Sequence, residues 1–170
     1  MKFDSLVAIV RTLEEAKVRY LVVGGLAVAA HGYGRVTYDV DLVVQLQPDN
    51  ARHAIVALQS LEYRPLVPIS AEDFADSALR EIWKRDKNMV VLQLYSERHR
   101  ETGVDLFIDE PFNFDAEYNT AMVGEIVPGL QTRFLSLDTL IRMKEATDRD
   151  KDREDVRQLK LLREKFDHDR

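Results

Sequence analysis

The stretch Gly24-Gly25-Leu-Ala-Val-Ala-Ala-His-Gly-Tyr-Gly-Arg35-Val-Thr37-Tyr-Asp39-Val-Asp41 carries more structural information than any other part of the chain. Apolar runs flank it, one at residues 20–23 and one at residues 42–44. This pattern predicts a strand that ends in a glycine pair, a short helix, and a second strand that carries two carboxylates. Because side chains alternate along a strand, Asp39 and Asp41 point to the same face, with Cα atoms ~6.6 Å apart.

Asp39 and Asp41 are candidate metal ligands. Neighbouring carboxylates repel each other, so a cation that neutralises them is favoured. Oxygen ligands of this kind suit Mg2+, which keeps several waters and bridges to substrate phosphates. A solvated strand face is the structural alternative, but the strand continues on the carboxylate side with Val43 and Gln45 rather than with charged residues. The pair therefore indicates a site for nucleotidyl transfer.

The glycine pair has two explanations. A tight turn from strand to helix needs a positive φ, which glycine adopts without strain. Alternatively, the backbone N–H groups at the start of the next helix face a phosphate, and the missing side chains at Gly24 and Gly25 let the anion approach. The chain contains no Gly-x-x-x-x-Gly-Lys-Ser/Thr phosphate loop.

A third carboxylate is expected near this pair, because two-metal phosphoryl transfer needs a ligand for the metal that activates the attacking oxygen. Asp105 is the main candidate, since it is the one acid in the apolar run of residues 104–108, after a turn at Gly103. An outward residue on an edge strand is the alternative. Asp109 lies on the same face at the end of that strand and is the reserve candidate.

Length, composition and net charge limit which classes of protein the chain can belong to. The chain has 170 residues, 45% of them hydrophobic, and a net charge of -6, which predicts one domain over 1–170, with a catalytic core at 1–135 and C-terminal helices at 136–170. An acidic protein lacks the basic surface that stable general DNA binding requires. Without cysteines, thiolate metal sites are excluded. We see neither a signal peptide nor a membrane-spanning run, so we expect a cytoplasmic protein.

The apolar periodicity predicts an α/β (α+β) fold, with a mixed β-sheet flanked by helices and a helical C-terminal end. Helices are expected over residues 3–16, 26–31, 51–61, 71–85, 137–147 and 152–166, and strands over residues 20–23, 39–46, 90–95 and 104–108, with a further hairpin around Pro128-Gly129. The helix over 71–85 carries a basic strip around Trp83, consisting of Arg80, Lys84, Arg85 and Lys87. This strip is either a solvated helix face or an edge that contacts RNA or another acceptor.

Three motifs together resemble the DNA polymerase β-like nucleotidyltransferase superfamily: Gly24-Gly25, Asp39-Val40-Asp41-Leu42 and Val104-Asp105-Leu106. The run Arg35-x-Thr37-x-Asp39-x-Asp41 resembles a bacterial branch that includes abortive-infection nucleotidyltransferase toxins. The C-terminal pattern Lys144-x4-Arg149-x-Lys151-Asp152-x-x-Asp155 is similar to a stretch of that same branch.

The resemblance implies that the chain binds an NTP and two Mg2+ ions and transfers an NMP with release of pyrophosphate. Gly24 and Gly25 would hold the triphosphate, Asp39 and Asp41 both metals, and Asp105 the catalytic metal while it helps to deprotonate the acceptor. Lys144 and Arg35 would neutralise phosphate charge, although an exposed lysine on a helix is the ordinary alternative for Lys144. Asp152 and Asp155 are expected to fix the last two helices against Arg149 or Arg35.

Three functions are compatible with these patterns. The first is an Mg2+-dependent nucleotidyltransferase acting on a protein hydroxyl, an RNA end or a small molecule, as a component of a toxin–antitoxin system with a cognate partner protein. The second is a catalytically weak antitoxin or regulator that binds nucleotide or a partner. The third is a metal-dependent nuclease, which the glycine pair disfavours because it indicates a triphosphate ligand.

Overall fold

The computed structural model describes residues 1–147 and 149–168, and for 166–168 it describes the backbone alone. The helices and strands follow in the order α1 (Phe3–Glu15), β1 (Tyr20–Val22), α2 (Gly24–Ala30), β2 (Asp39–Val44), α3 (Pro48–Ser60), β3 (Arg64–Pro65), α4 (Ala71–Ala75), α5 (Ser77–Lys87), β4 (Val91–Tyr95), β5 (Gly103–Phe107), α6 (Phe114–Thr120), β6 (Met122–Val127), β7 (Leu130–Phe134), α7 (Leu137–Thr147) and α8 (Asp150–His168).

The strands form one mixed, seven-stranded sheet in the order β3-β4-β5-β2-β1-β7-β6. The β2–β5 and β1–β7 pairs are parallel, and the other neighbours are antiparallel. The strand β2 thus occupies the centre of the sheet, with β5 on one side and β1 on the other. The expected mixed α/β fold with a helical C-terminal end is confirmed.

The core follows from the alternation along the central strand. Val40, Leu42 and Val44 are fully buried, and Ile9 and Leu13 of α1 are buried with them in one apolar cluster. The odd-numbered positions Asp39 and Asp41 are left on the opposite face of β2. On the C-terminal side of the chain, α7 packs against both α8 and α2. The fold therefore places the last two helices beside the glycine pair.

Two local predictions were wrong. The helix expected over 71–85 is divided into α4 and α5, because Asp76 leaves helical geometry and its carboxylate caps α5 by accepting from the N–H groups of Ala78 and Leu79. The strand β3 was not expected, since two residues carry no periodic signal.

The C-terminal helices predicted over 136–170 are present to residue 168, while Asp148 and residues 169–170 lie outside the described part. No helix in that described part is long and apolar enough to cross a membrane.

Candidate active site

The three candidate carboxylates lie on one face of two neighbouring strands. Parallel pairing of β2 with β5 sets Asp41 directly opposite Asp105 and Asp39 opposite Gly103. Residues opposite each other on adjacent strands project to the same side of a sheet, so Asp105 faces the same way as Asp39 and Asp41. All three line one cleft of about 410 Å3, which Gly24, Gly25, Arg35 and Lys144 also line. The structure thus brings together the main candidates that the sequence indicates for the site.

The carboxylates of the cleft repel one another, and burial adds to the cost of ionising them. Burial, together with repulsion from Asp41 and Asp39, raises the pKa of Asp105 to about 6, although a hydrogen bond from Gln93 acts in the opposite direction. Burial and the neighbouring Asp39 also raise the pKa of Asp41, against the N–H of Gly25 and the charges of two lysines. A site of this kind favours the binding of a cation or of a proton.

Of the two glycines, Gly24 is required by the close approach of α2 to the carboxylates. Gly24 has a φ of +62°, and a Cβ at this position would overlap the carboxylate of Asp41. Gly25 has no such backbone requirement, and a Cβ there would lie 3.0 Å from the side chain of Thr37. The turn explanation therefore applies to Gly24. The first residue of β5, Gly103, is needed for a related reason, since its Cβ would come 2.6 Å from Oδ1 of Asp39.

We expect Gly24→Ala to destabilise the fold more than Gly25→Ala does. Alanine at Gly24 adopts a left-handed conformation at a cost of about 1–2 kcal/mol and also displaces the Asp41 side chain. The matched Gly25→Ala variant meets the side chains of Thr37 and Arg35, which move more easily. Urea unfolding of both variants measures the difference, and equal losses would contradict the assignment of the strained position to Gly24.

Lys144 is buried and does not lie on an exposed helix face. It is 7% exposed, and its Nζ lies 2.9 Å from Oδ1 of Asp152 and 2.7 Å from Oδ2 of Asp155. Arg35 also pairs with Asp155, and Nε of Arg149 lies 2.6 Å from Oδ2 of Asp152. The expected pairing of these two aspartates with Arg149 and Arg35 is confirmed, and the solvated-lysine alternative for Lys144 is wrong.

Asp152 is the most buried charged residue among these ion pairs. Its side chain is fully buried, which opposes ionisation, but hydrogen bonds from Arg149, Lys144 and Thr147 outweigh burial and hold its pKa well below the usual range. The ionised carboxylate therefore belongs to the folded state, and it ties the C-terminal end of α7 to the start of α8. Four residues of these ion pairs line the same cleft as the three carboxylates and form what we call the cleft wall: Arg35, Lys144, Arg149 and Asp152.

Sequence reasoning missed two side chains at the site. Gln93 of β4 lies directly opposite Asp105 and donates a hydrogen bond to its carboxylate. Lys151, in the first turn of α8, lines the cleft, and its positive charge acts on Asp41. Alternation within β4 places Gln93 on the same sheet face as Asp105 once the β4–β5 pairing is known, whereas no signal in the sequence distinguishes Lys151 from its charged neighbours.

Two other candidates lie away from the cleft. Asp109 does not line the cleft, and its carboxylate pairs with Lys84, whose Nζ lies 2.6 Å from Oδ2. The rest of the basic strip is also engaged locally, since Arg80 is buried and donates to the carbonyl of Phe74, and Arg85 pairs with Asp86. The solvated-face explanation therefore fits Lys84, Arg85 and Lys87, which are exposed, but not Arg80.

Comparison with known proteins gives structural likenesses alone. No protein-family model matches the chain, and no curated protein matches its sequence. The lincosamide antibiotic adenylyltransferase LnuA, in its lincomycin-bound crystal structure, has a TM-score of 0.58 and 16% identity, over 94% of this chain and 96% of its own.

A second likeness is to the antibiotic-resistance factor ANT(2'')-Ia. Its solution structure gives a TM-score of 0.57 and 14% identity, over 98% of this chain and 91% of its own. Its crystal structure in complex with adenylyl-2''-tobramycin gives a TM-score of 0.52 and 13% identity, over 98% of this chain and 97% of its own. At such identities the likeness shows the fold alone, which the chain shares with these two proteins.

Proposed function

We propose that the protein is an Mg2+-dependent nucleotidyltransferase that moves an NMP from an NTP to an acceptor hydroxyl. The observation that carries this proposal is the register of β2 and β5, which aligns Asp39, Asp41 and Asp105 on one face of a cleft that also contains the glycine pair. The fold shared with LnuA and ANT(2'')-Ia supports the same class of reaction.

The donor set fits Mg2+. Asp39, Asp41 and Asp105 offer only carboxylate oxygens, and their mutual repulsion is the kind that a hard divalent cation relieves. Within the described residues no group of three or more His, Cys, Asp or Glu side chains is arranged to hold a metal ion by itself. Mg2+ is usually held by one or two carboxylates together with substrate phosphates, so the phosphates of the NTP would complete the ligand set. When bound, two Mg2+ ions would neutralise phosphate charge and activate the attacking oxygen.

The protein groups then divide the remaining tasks. Gly24 lets the start of α2 lie against the Asp41 carboxylate, which a Cβ would overlap, and both glycines line the cleft without a side chain that would obstruct the triphosphate. Arg35 and Lys144 supply positive charge to the cleft wall from their pairs with Asp155. Asp105, with its pKa near 6, accepts the proton of the acceptor hydroxyl while that oxygen bonds to the α-phosphorus and pyrophosphate leaves.

The acceptor approaches from the β5 side of the site. Next to Asp105 on that side lies Gln93, which is exposed. The likeness to transferases solved with lincomycin and with adenylylated tobramycin favours a small-molecule hydroxyl. The motif resemblance to the abortive-infection branch favours instead a protein hydroxyl or an RNA end, in a toxin–antitoxin role.

A labelling experiment tests the function and separates these acceptors. The protein is incubated with Mg2+ and each α-labelled NTP, in turn with hydroxylated small molecules that include lincomycin and tobramycin, with total RNA, and with cell-extract protein. We expect label in one acceptor class, with one pyrophosphate released per transfer. Tight NTP binding by the wild type without transfer to any pool would overturn the enzyme and support the nucleotide-binding regulator.

Ligand-dependent stability gives a second test of the same site. A ligand at 100 times its Kd stabilises the native state by about 2.7 kcal/mol, which raises Tm by about 5–10 °C for a chain of this size. We therefore expect millimolar Mg2+ with NTP to produce a shift of this order in a thermal melt. The shift should vanish in Asp41→Asn and persist in Lys87→Ala, which changes an exposed residue of α5. Loss of the shift in both variants, or in neither, would contradict a site at Asp41.

A further inference from the structure

The cations that line the cleft are not equally available to a ligand. Lys144 is already neutralised by two carboxylates, with separations of 2.9 and 2.7 Å. Those partners, Asp152 and Asp155, are 0% and 3% exposed. If Lys144 turned toward a phosphate, it would leave buried charge behind without its cation, which is strongly unfavourable.

Arg35 and Arg149 are committed to the same two carboxylates. Arg35 pairs with Asp155, and Arg149 reaches Asp152 through Nε at 2.6 Å. The side chain of Arg149 is 60% exposed, so it is freer than Lys144, but its hydrogen bonds help to keep Asp152 ionised. A phosphate that recruited either arginine would again weaken the contact between α8 and the rest of the cleft.

Lys151 differs from the other three cations that line the cleft. It lines the cleft with the glycine pair and Asp41, it is exposed, and it forms no ion pair with any residue in the ranges 1–147 and 149–165. Its charge acts on Asp41, as the charge of Lys144 does. A flexible lysine with no partner can bind a phosphate as a point charge without breaking an existing contact.

We propose that Lys151, rather than Lys144, contacts the triphosphate of the bound nucleotide directly, and that Lys144 holds α7 against α8 and acts on the cleft only through its charge. This inference rests on the proposed function, because it assigns a residue to the triphosphate of that reaction. It predicts separate consequences for two lysines that are seven positions apart. Loss of Lys151 affects ligand affinity, and loss of Lys144 affects the fold.

The experiment measures equilibrium binding of ATP, CTP, GTP and UTP, each with Mg2+, to wild type, Lys151→Ala, Lys151→Arg and Lys87→Ala. For the NTP that the wild type binds most tightly, we expect Lys151→Ala to weaken binding about 10- to 100-fold, as for one lost hydrogen bond to a charged group. Lys151→Arg keeps the charge and should retain most of the affinity. Lys87→Ala should bind as wild type does.

Urea unfolding provides the readout that a structural role would change. The unfolding midpoint of Lys151→Ala should equal that of the wild type, because no described contact is lost. Wild-type affinity in Lys151→Ala, or equal losses in the alanine and arginine variants, would overturn the assignment and leave the proposed function standing. Failure of the wild type to bind any of the four nucleotides would overturn both.

Discussion

The Asp105→Asn variant is expected to lose about 100- to 10,000-fold in transfer rate, the range contributed by a positioned general base, while it still binds NTP. Asparagine has almost the same shape as aspartate but cannot accept the acceptor's proton and is a poorer metal ligand. Asp39 and Asp41 remain on β2 to hold the metal bound to the nucleotide. The effect therefore falls on an interaction that matters in the transition state, and much less on ground-state binding.

Folding is not expected to limit this test. The pKa of Asp105 is raised to about 6, so the folded state disfavours the ionised carboxylate at neutral pH in the absence of metal. A neutral amide removes that repulsion and should not lower the free energy of unfolding. Labelled-nucleotide transfer and equilibrium NTP binding, measured on the same preparation, separate catalysis from affinity.

Asp109→Asn is the matched control for this variant. Asp109 follows the same strand, but its carboxylate is engaged by Lys84 at 2.6 Å and lies outside the cleft. We expect transfer by this variant to equal that of the wild type. If Asp105→Asn transferred as well as the wild type, or if Asp109→Asn were the inactive variant, Asp105 would have no place in the mechanism.

The carboxylate face could be predicted from the sequence because period-two alternation is a local property. Val40, Leu42 and Val44 are apolar and need the core, so Asp39 and Asp41 must face the other way. The position of Asp105 opposite Asp41 depends on the register between distant strands. The apolar run around Asp105 fixed which face it occupies, and the motif resemblance supplied the partner strand.

The cleft wall could be predicted only in part, through the pairing of Asp152 and Asp155 with Arg149 and Arg35. The segment from Lys144 to Asp155 contains several lysines, arginines and aspartates, and their spacing along a helix does not say which ones the packing of α7 on α8 will bury. Lys144 is buried while Lys151 is exposed, although both are lysines of one motif. Only the tertiary contact distinguishes them, as it does for Gln93, whose importance comes from the residue opposite it on β5.

The break at Asp76 shows how helical periodicity in the sequence can hide the signal of a capping residue. Helical periodicity continues across residues 71–85, and it favours a single helix. Asp76 nevertheless stabilises a new helix start, because its carboxylate accepts from two N–H groups that would otherwise be unpaired there. Aspartate is also an ordinary residue within a helix, so its capping role becomes visible only in the structure.

Lys144→Met is expected to lower the free energy of unfolding by about 3–5 kcal/mol, the cost of removing one partner from a buried ion pair. Methionine preserves most of the side-chain volume, so the loss of stability comes from the missing charge and not from a cavity. Asp152 keeps Arg149 and Asp155 keeps Arg35, but each buried carboxylate loses a hydrogen-bonding cation. The total stability of a domain is about 5–15 kcal/mol, so the variant should unfold at a much lower urea concentration.

Lys160→Met is the matched control, because it removes a salt bridge between the same two helices at the surface. Nζ of Lys160 lies 2.6 Å from Oε1 of Glu145, but the two side chains are 44% and 46% exposed. Exposed pairs contribute only about 0–1 kcal/mol, so this variant should unfold close to the wild type. Comparable losses from Lys144→Met and Lys160→Met in urea unfolding would show that burial does not decide the strength of the contact. The proposed structural role of Lys144 would then fail, and its charge would again be available to the nucleotide.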